Sequence, residues 1–279
     1  MSYMKKYITN WEELSEEQKE KAKEQFREAN TKKNSNNLNA SAKFFEEHRW
    51  VKIDNYIDQN MANLLYHHVQ LETARLNYYE ENDIKVDEAY NGTFTDKQAL
   101  GDFSKYGDPI FDALLSIGLS NMENLTGLKL IPTYSYHRLY TKDTELKRHK
   151  DRPSCEVSTT LCLGYDISNL EDKNWNWPMY VKEKNGTEIP VFMKPGDMII
   201  YRGCELEHWR EPFTGNHHAQ VFLHYNELAG QYDIPFDGRP LLGMPVDFRD
   251  DSSQNIKVNE NENEYEKFNV TNNPRKIIF

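Results

Sequence analysis

Cysteine is scarce in this chain. Cys155, Cys162 and Cys204 are the only three, an odd number without C-x-x-C spacing, which argues against a disulfide framework and against a thiolate-built zinc site. Long apolar runs are missing too: none approaches the roughly 20 residues a membrane-spanning helix needs, and no apolar h-region stands at the start of the sequence. Positive charge is in deficit, with 34 Lys and Arg against 45 Asp and Glu and a formal charge of −11. No diffuse basic field is therefore available to recruit nucleic acid or a membrane surface. The local exception, Lys147-Arg148 with Lys150 and Arg152, reads as a solvated rim. These absences lead to the expectation of a soluble protein of a reducing compartment. That compartment is the cytoplasm, or the host's cytoplasm if the source is viral, which the richness in Asn, Lys, Ile and Tyr would suit.

What is present suffices for one large core: 279 residues, 38% hydrophobic and 13% aromatic. Residues 9–30 have a thin apolar stripe (Trp11, Leu14, Ala22, Phe26) behind candidate caps Thr9 and Asn10, and predict a helix followed by a polar linker from Thr31 to Ser41. Residues 1–43 are thus expected to form an N-terminal helix and linker. Trp50–Asp54 reads as a strand. Asp58 caps a helix over 59–77 with Met61, Leu64, Leu65, His68 and Leu71 on its apolar stripe, and Asp108 to Thr126 predicts another helix. Residues 80–106 read as irregular.

From Leu128 the hydrophobic period changes from 3.6 to 2. One face of this strand carries Tyr134, Tyr136, Arg138 and Tyr140, which suits a polar-lined barrel lumen. Further strands are expected at 156–163, 177–183, 187–193, 198–201 and 219–225, with an Asn185-Gly186 hairpin signal and a tight Lys194-Pro195-Gly196-Asp197 turn. Helices first and then at least six strands make this an α+β chain with a jelly-roll type of antiparallel barrel. The barrel domain with its supporting helices is expected over 44–240, and a polar, mostly loose tail over 241–279, with Ile277-Ile278-Phe279 as a docking end.

The chemistry centres on His149-Lys150-Asp151 and His208. In an extended strand, residues two apart share a face, so His149 and Asp151 would project together. Two imidazoles and one carboxylate form the facial set that holds non-haem Fe(II) and leaves the opposite positions open. Alone the H-x-D is weak, since chance gives about 0.6 such tripeptides in a chain of this composition. Its setting adds weight: a Tyr-bearing strand before it, short strands and a Pro-Gly-Asp turn after it, and a His 57 residues beyond the Asp.

On Arg138-Leu139-Tyr140, His149-Lys150-Asp151, Lys194-Pro195-Gly196-Asp197, His208 with Pro212, and the opening Val51–Ile57, residues 48–228 resemble the Fe(II)/2-oxoglutarate-dependent oxygenases. The prolyl-4-hydroxylase-like branch is the one they are most similar to. The resemblance implies a double-stranded β-helix (a cupin-like jelly roll) and His149, Asp151 and His208 as iron ligands and catalytic centre. It also implies 2-oxoglutarate as co-substrate, with ascorbate as a candidate reductant. The implied activity is a dioxygenase that decarboxylates 2-oxoglutarate to succinate and hydroxylates a C–H bond.

One departure concerns the distal carboxylate of 2-oxoglutarate. The family meets it with Arg or Lys nine or ten residues after the second iron His, where this chain has His217 and His218. Arg210 or Arg138 could supply the clamp instead, and Tyr140 corresponds to a pocket tyrosine of the family. A prolyl or similar residue of a protein or peptide leads as substrate, a free amino acid or small metabolite follows, and a nucleobase is third. The rival from another class is a barrel that binds metal or ligand without turnover.

Overall fold

The computed structural model describes residues 3–8, 10–34 and 38–250. Residues 251–279 of the expected tail, with the Ile277-Ile278-Phe279 end, lie outside them.

The first helix, α1 (Glu16–Asn34), begins later than its apolar stripe suggests. Ser15 is its cap: Gln18 N–H donates to Ser15 Oγ (3.3 Å) and Ser15 N–H to Gln18 Oε1 (2.9 Å), a reciprocal capping box. Trp11–Glu13 is a separate 3₁₀ turn. α1 runs into the expected linker, and α2 (Ala40–His48), capped by Asn39, forms where only linker and unassigned sequence stood.

β1 (Trp50–Ile53) leads to α3 (Gln59–Glu81), whose N-cap Asp58 accepts from Met61 N–H at 2.9 Å. Here the expected stripe is met only in part, at Leu65 and His68. Ala62, Leu65, Val69 and Leu76 face inward, while Met61, Leu64 and Leu71 are 41%, 64% and 70% exposed. The inner face also buries Gln70, Glu72 and Thr73, so an apolar count selects the neighbouring stripe. The short α4 (Glu88–Asn91) and β2 (Phe103–Tyr106) lie inside the segment read as irregular. α5 (Pro109–Thr126) runs from its Asp108 cap to Gly127 in the left-handed region, as expected.

Eight more strands follow: β3 (Leu130–Thr141), β4 (Leu146–His149), β5 (Val157–Asp166), β6 (Met179–Lys182), β7 (Glu188–Val191), β8 (Met198–Tyr201), β9 (His208–Arg210) and β10 (His217–Glu227). They form two wholly antiparallel sheets, ordered β1-β8-β5-β10-β3-β2 and β4-β9-β6-β7, and so a mixed α+β jelly roll. One face of the large sheet packs Leu139, Leu161, Val221 and Leu223 against Leu65, Val69, Phe111 and Leu115 of α3 and α5. The alternate residues of β3 and β10 therefore point to the space between the sheets.

Beyond β10 the chain folds back over β3 and α5. Arg239, 3% exposed, donates to Asp112 (2.9 Å) and to the carbonyls of Met244 (2.6 Å) and Thr133 (3.2 Å). Residues 241–250 remain in this contact, with Asp250 N–H bonded to Gly238 O at 3.1 Å.

Between α3, α5 and the large sheet lies a buried ionic cluster. Lys105 Nζ donates to Glu72 (2.6 Å) and Asp108 (2.7 Å), and His68 Nε2 stands 3.4 Å from the other oxygen of each carboxylate. His68, Glu72 and Asp108 alone would pass for a metal-binding set. The ammonium of Lys105 already neutralises one of the two carboxylates, and a protonated His68 balances the other.

The facing carboxylates of Asp108 and Glu72 push the His68 pKa from 6.5 up to about 9. Burial alone would raise Asp108, but the facing His68 and its bond from Lys105 hold it down at about 2; Glu72 is likewise lowered, chiefly by His137 and His68 against its own burial. The raised His68 stabilises the fold fully below its unfolded pKa of 6.5, and that contribution is lost as pH rises through about 9. The depressed carboxylates act in the opposite sense, stabilising above 3.8 and 4.5 and losing that as pH falls. Thermal unfolding should therefore show Tm declining from pH 6.5 to 9 in the native protein, and His68→Gln should flatten that limb. An unchanged alkaline limb in the variant would refute the assignment.

Candidate metal centre and its cavity

β4 and β9 pair antiparallel with His149 and His208 as Cα partners, which brings the two imidazoles to a ring-centroid separation of 4.2 Å. Each ring is fixed by its own strand. His149 Nδ1 lies 2.8 Å from Lys147 O and His208 Nδ1 lies 3.0 Å from Leu206 O. A carbonyl only accepts, so each Nδ1 carries the proton and each Nε2 presents a bare lone pair.

Both lone pairs are aimed at one carboxylate. Asp151 Oδ1 is 3.6 Å from His149 Nε2 and 3.4 Å from His208 Nε2. The three residues thus offer one ligand atom each to a common point, and this donor set, neutral imidazoles with a carboxylate, fits Fe(II).

Asp151 is not placed as the alternation argument expects. β4 ends at His149, so the two residues do not share a strand face. The chain turns at Lys150, and Asp151 is fixed from outside. Its N–H donates to Gly203 O (2.9 Å), and its Oδ2 accepts from Ser158 Oγ (2.6 Å), which also contacts His224 Nδ1 (3.0 Å). Gly203 is a close approach that only glycine permits: a Cβ there would stand 2.3 Å from Asp151 Oδ2 and 2.6 Å from Ser158 Oγ. Burial by itself would raise the Asp151 pKa, but the facing His208 and His149, when protonated at Nε2 rather than bound to a metal there, hold it well below the usual carboxylate range.

The triad opens onto a cavity of about 400 Å³ between the sheets. Its long axis follows the paired strands. Gln220 and Arg138 are register partners at one level, Phe222 and Tyr136 at the next, and Tyr134 and His224, rings 4.5 Å apart, close the far end. Tyr134, Tyr136 and Arg138 line the lumen as the alternating pattern predicts, whereas Tyr140, expected on the same face, does not reach the cavity wall.

The four candidate anion partners fare differently. Arg138 is 2% exposed but already matched, pairing with Asp96 and donating to Ser104 Oγ (3.0 Å) and Tyr140 Oη (3.1 Å). His217 bonds Tyr66 Oη at 2.8 Å and His218 stacks on Tyr165; neither lines the cavity, and burial lowers the pKa of both, leaving them uncharged near neutrality. Arg210, also 2% exposed, donates only to Trp177 O (2.5 Å) and Gln220 Oε1 (2.9 Å), and its Nε has no hydrogen-bond partner among the described residues. Burial drops its pKa to about 10. Among the described residues no carboxylate pairs with this buried guanidinium. Tyr140 sits between the two arginines, its hydroxyl also accepting from Gln220 Nε2 at 3.3 Å.

Arg152, expected on a solvated rim, makes two bonds to Asp237 (2.9 and 2.7 Å). Site residues that sequence reasoning did not find are Gln220, Ser158, Gly203, Asp96 and Asp237. Gln220 was within reach, because alternation along Ala219–Tyr225 puts it on the His224 face. Asp96 and Asp237 arrive from segments without periodicity.

No protein-family model matches the chain, and no curated protein matches it in sequence. Solved structures do. A prolyl-4-hydroxylase from Pseudomonas putida superposes with a TM-score of 0.50 at 16% identity, over 67% of this chain and 97% of that one. A 2OG-Fe(II) oxygenase family oxidoreductase from Burkholderia pseudomallei gives 0.46 at 13% identity over 68% and 92%. A prolyl hydroxylase from Trichoplax adhaerens, in complex with a hypoxia-inducible-factor peptide, gives 0.47 at 13% over 70% and 91%. Identities this low speak to fold alone. In fold, the chain is a double-stranded β-helix similar to that of the Pseudomonas putida prolyl-4-hydroxylase.

Proposed function

We propose that this protein is an Fe(II)- and 2-oxoglutarate-dependent dioxygenase that hydroxylates a C–H bond, with a prolyl or similar residue of a protein or peptide as the leading substrate. The observation that carries the reading is Arg210. A guanidinium buried without a counter-ion costs several kcal/mol on the order of magnitude of ionic desolvation, so the fold tolerates it for an anion that comes and goes. It stands two residues from His208 and lines the same cavity as the triad. A dicarboxylate held at one end by Arg210 would reach the metal position with the other.

His149 Nε2, Asp151 and His208 Nε2 would hold the iron, which when bound supplies dioxygen activation coupled to oxidative decarboxylation of 2-oxoglutarate. The protein's own residues orient and enclose. Carbonyls of Lys147 and Leu206 keep the imidazole lone pairs forward, Ser158 and Gly203 fix the carboxylate, and Arg210 with Gln220 fixes the far end of the co-substrate. Tyr140, tied to Gln220 and Arg138, keeps that end rigid. No protein general base is required.

Succinate formation from 2-oxoglutarate with Fe(II), across peptide and small-molecule pools, tests the class; none formed under any pool would defeat it. Arg210→Met should weaken 2-oxoglutarate binding by about 2–5 kcal/mol and at the same time raise the Tm of the ligand-free protein, because the unmatched charge is gone. If Arg138→Met, and not Arg210→Met, lowers the affinity, the clamp is misassigned. His149→Ala and Asp151→Ala should each abolish Fe(II) or Co(II) uptake in calorimetry. Gly203→Ala, distant in sequence from the H-x-D, should cost about 10–100-fold in metal affinity through displacement of Asp151; wild-type affinity in that variant would show that the close packing is immaterial.

A further inference from the structure

The end of the cavity away from Arg210 is built around Tyr134. Its ring lies 4.8 Å from Tyr106, stacked at 18°, and the Arg152 guanidinium sits over it at 4.5 Å. Both neighbours are held by one carboxylate. Asp237 accepts two bonds from Arg152 (2.9 and 2.7 Å) and one from Tyr106 Oη (2.8 Å), with Arg249 Nε at 3.5 Å. Asp237 is 4% exposed and belongs to the segment that folds back after β10. It and Phe236 hold φ values of +56° and +58°, a conformation uncommon for residues other than glycine and a sign that the surroundings over-determine the turn.

The second cation of this region, Arg138, is matched by Asp96, which also accepts from Tyr136 Oη. Each guanidinium facing the aromatic part of the cavity is thus paired in advance. The remaining cation, Lys150, stands at the exposed rim. The contrast with Arg210 is one of charge: one end of the cavity demands an anion, the other has cancelled its own.

We infer that the end of the cavity opposite Arg210 takes an uncharged substrate group packed against the Tyr134–Arg152 stack, and that Asp237 sets this preference by holding Arg152 neutralised. A free amino acid, which would present charged groups, is disfavoured by this arrangement. The inference rests on the functional reading above, which assigns the Arg210 end to the co-substrate. Asp237 acts through Arg152 and is a positioning residue. Removing its charge should unmask the guanidinium and turn a site for neutral groups into one for anions.

Benzamide and benzoate, isosteric probes that differ in charge, make the test. Their binding is measured by ligand-observed NMR on protein loaded with Co(II) and 2-oxoglutarate, so that the Arg210 end is filled. The native protein should bind benzamide at least as well as benzoate. Asp237→Asn should bind benzoate about tenfold more tightly or better, as a charge-assisted contact allows, with benzamide and 2-oxoglutarate affinities changed less than about twofold. The double variant Arg152→Gln with Asp237→Asn should lose the gain for benzoate.

A merely structural role would weaken both probes together and would not be reversed by the second substitution. An unchanged benzoate-to-benzamide ratio in Asp237→Asn, or no binding of either probe to either protein, overturns the inference. If the native protein takes up neither Co(II) nor 2-oxoglutarate, the functional reading fails on its own. The probe ratio is then read in an Arg210→Ala background, where the other guanidinium is gone.

Discussion

The antiparallel pairing of β4 with β9 is the contact on which the rest depends. These are among the shortest strands of the fold, four and three residues, yet their register makes His149 and His208 direct partners. A slip of one residue would turn one imidazole to the opposite face. The register is held from both sides: Leu146 pairs with Arg210 at the other end of the ladder, and β6 covers the outer edge of β9 through Tyr180 and Val181. The large sheet and its helices form the rigid wall against which this small ladder is fixed.

Charge matching separates the polar clusters of the interior by purpose. Around Lys105, two carboxylates face an ammonium and a protonated imidazole, with Arg75 and His137 also beside Glu72, so the carboxylates are already matched. Arg138 and Arg152 each have a carboxylate of their own. Only at Arg210, among the buried cations that line the cavity, does the sum fail to close. Burial is costly for a charge, and of the two fully buried guanidiniums, Arg138 and Arg210, the unmatched one reads as a function rather than as scaffolding.

Much of this was legible in the sequence. The switch from helical to alternating periodicity, the Asp58 cap, the Asn185-Gly186 hairpin and the lumen-facing Tyr134 and Tyr136 of β3 all depend on local chemistry, and local chemistry is what a sequence carries openly. The buried face of α3 was misread for the converse reason: Gln70, Glu72 and Thr73 are inside because Lys105 and His68 meet Glu72 there, and partners that distant leave no periodic trace. α2 was missed as a short segment whose cap, Asn39, looks like linker. At the site, the residue types of the triad could be picked out, but the reason Asp151 stands where it does could not. The argument from strand alternation reached the right pair of side chains through a geometry that the chain does not adopt, since β4 stops before Asp151.

That geometry makes the H-x-D an incomplete unit. The aspartate takes its position from a carbonyl and a missing side chain at Gly203, in the turn that follows β8, so part of the information for the carboxylate is written some fifty residues downstream, close before His208. Grafting the tripeptide onto another barrel would carry the ligand atoms without the surface that seats them. A glycine in the turn between the Pro-Gly-Asp strand and the second histidine is therefore as informative a mark of this centre as the histidine itself, and one that a search for metal ligands alone would pass over.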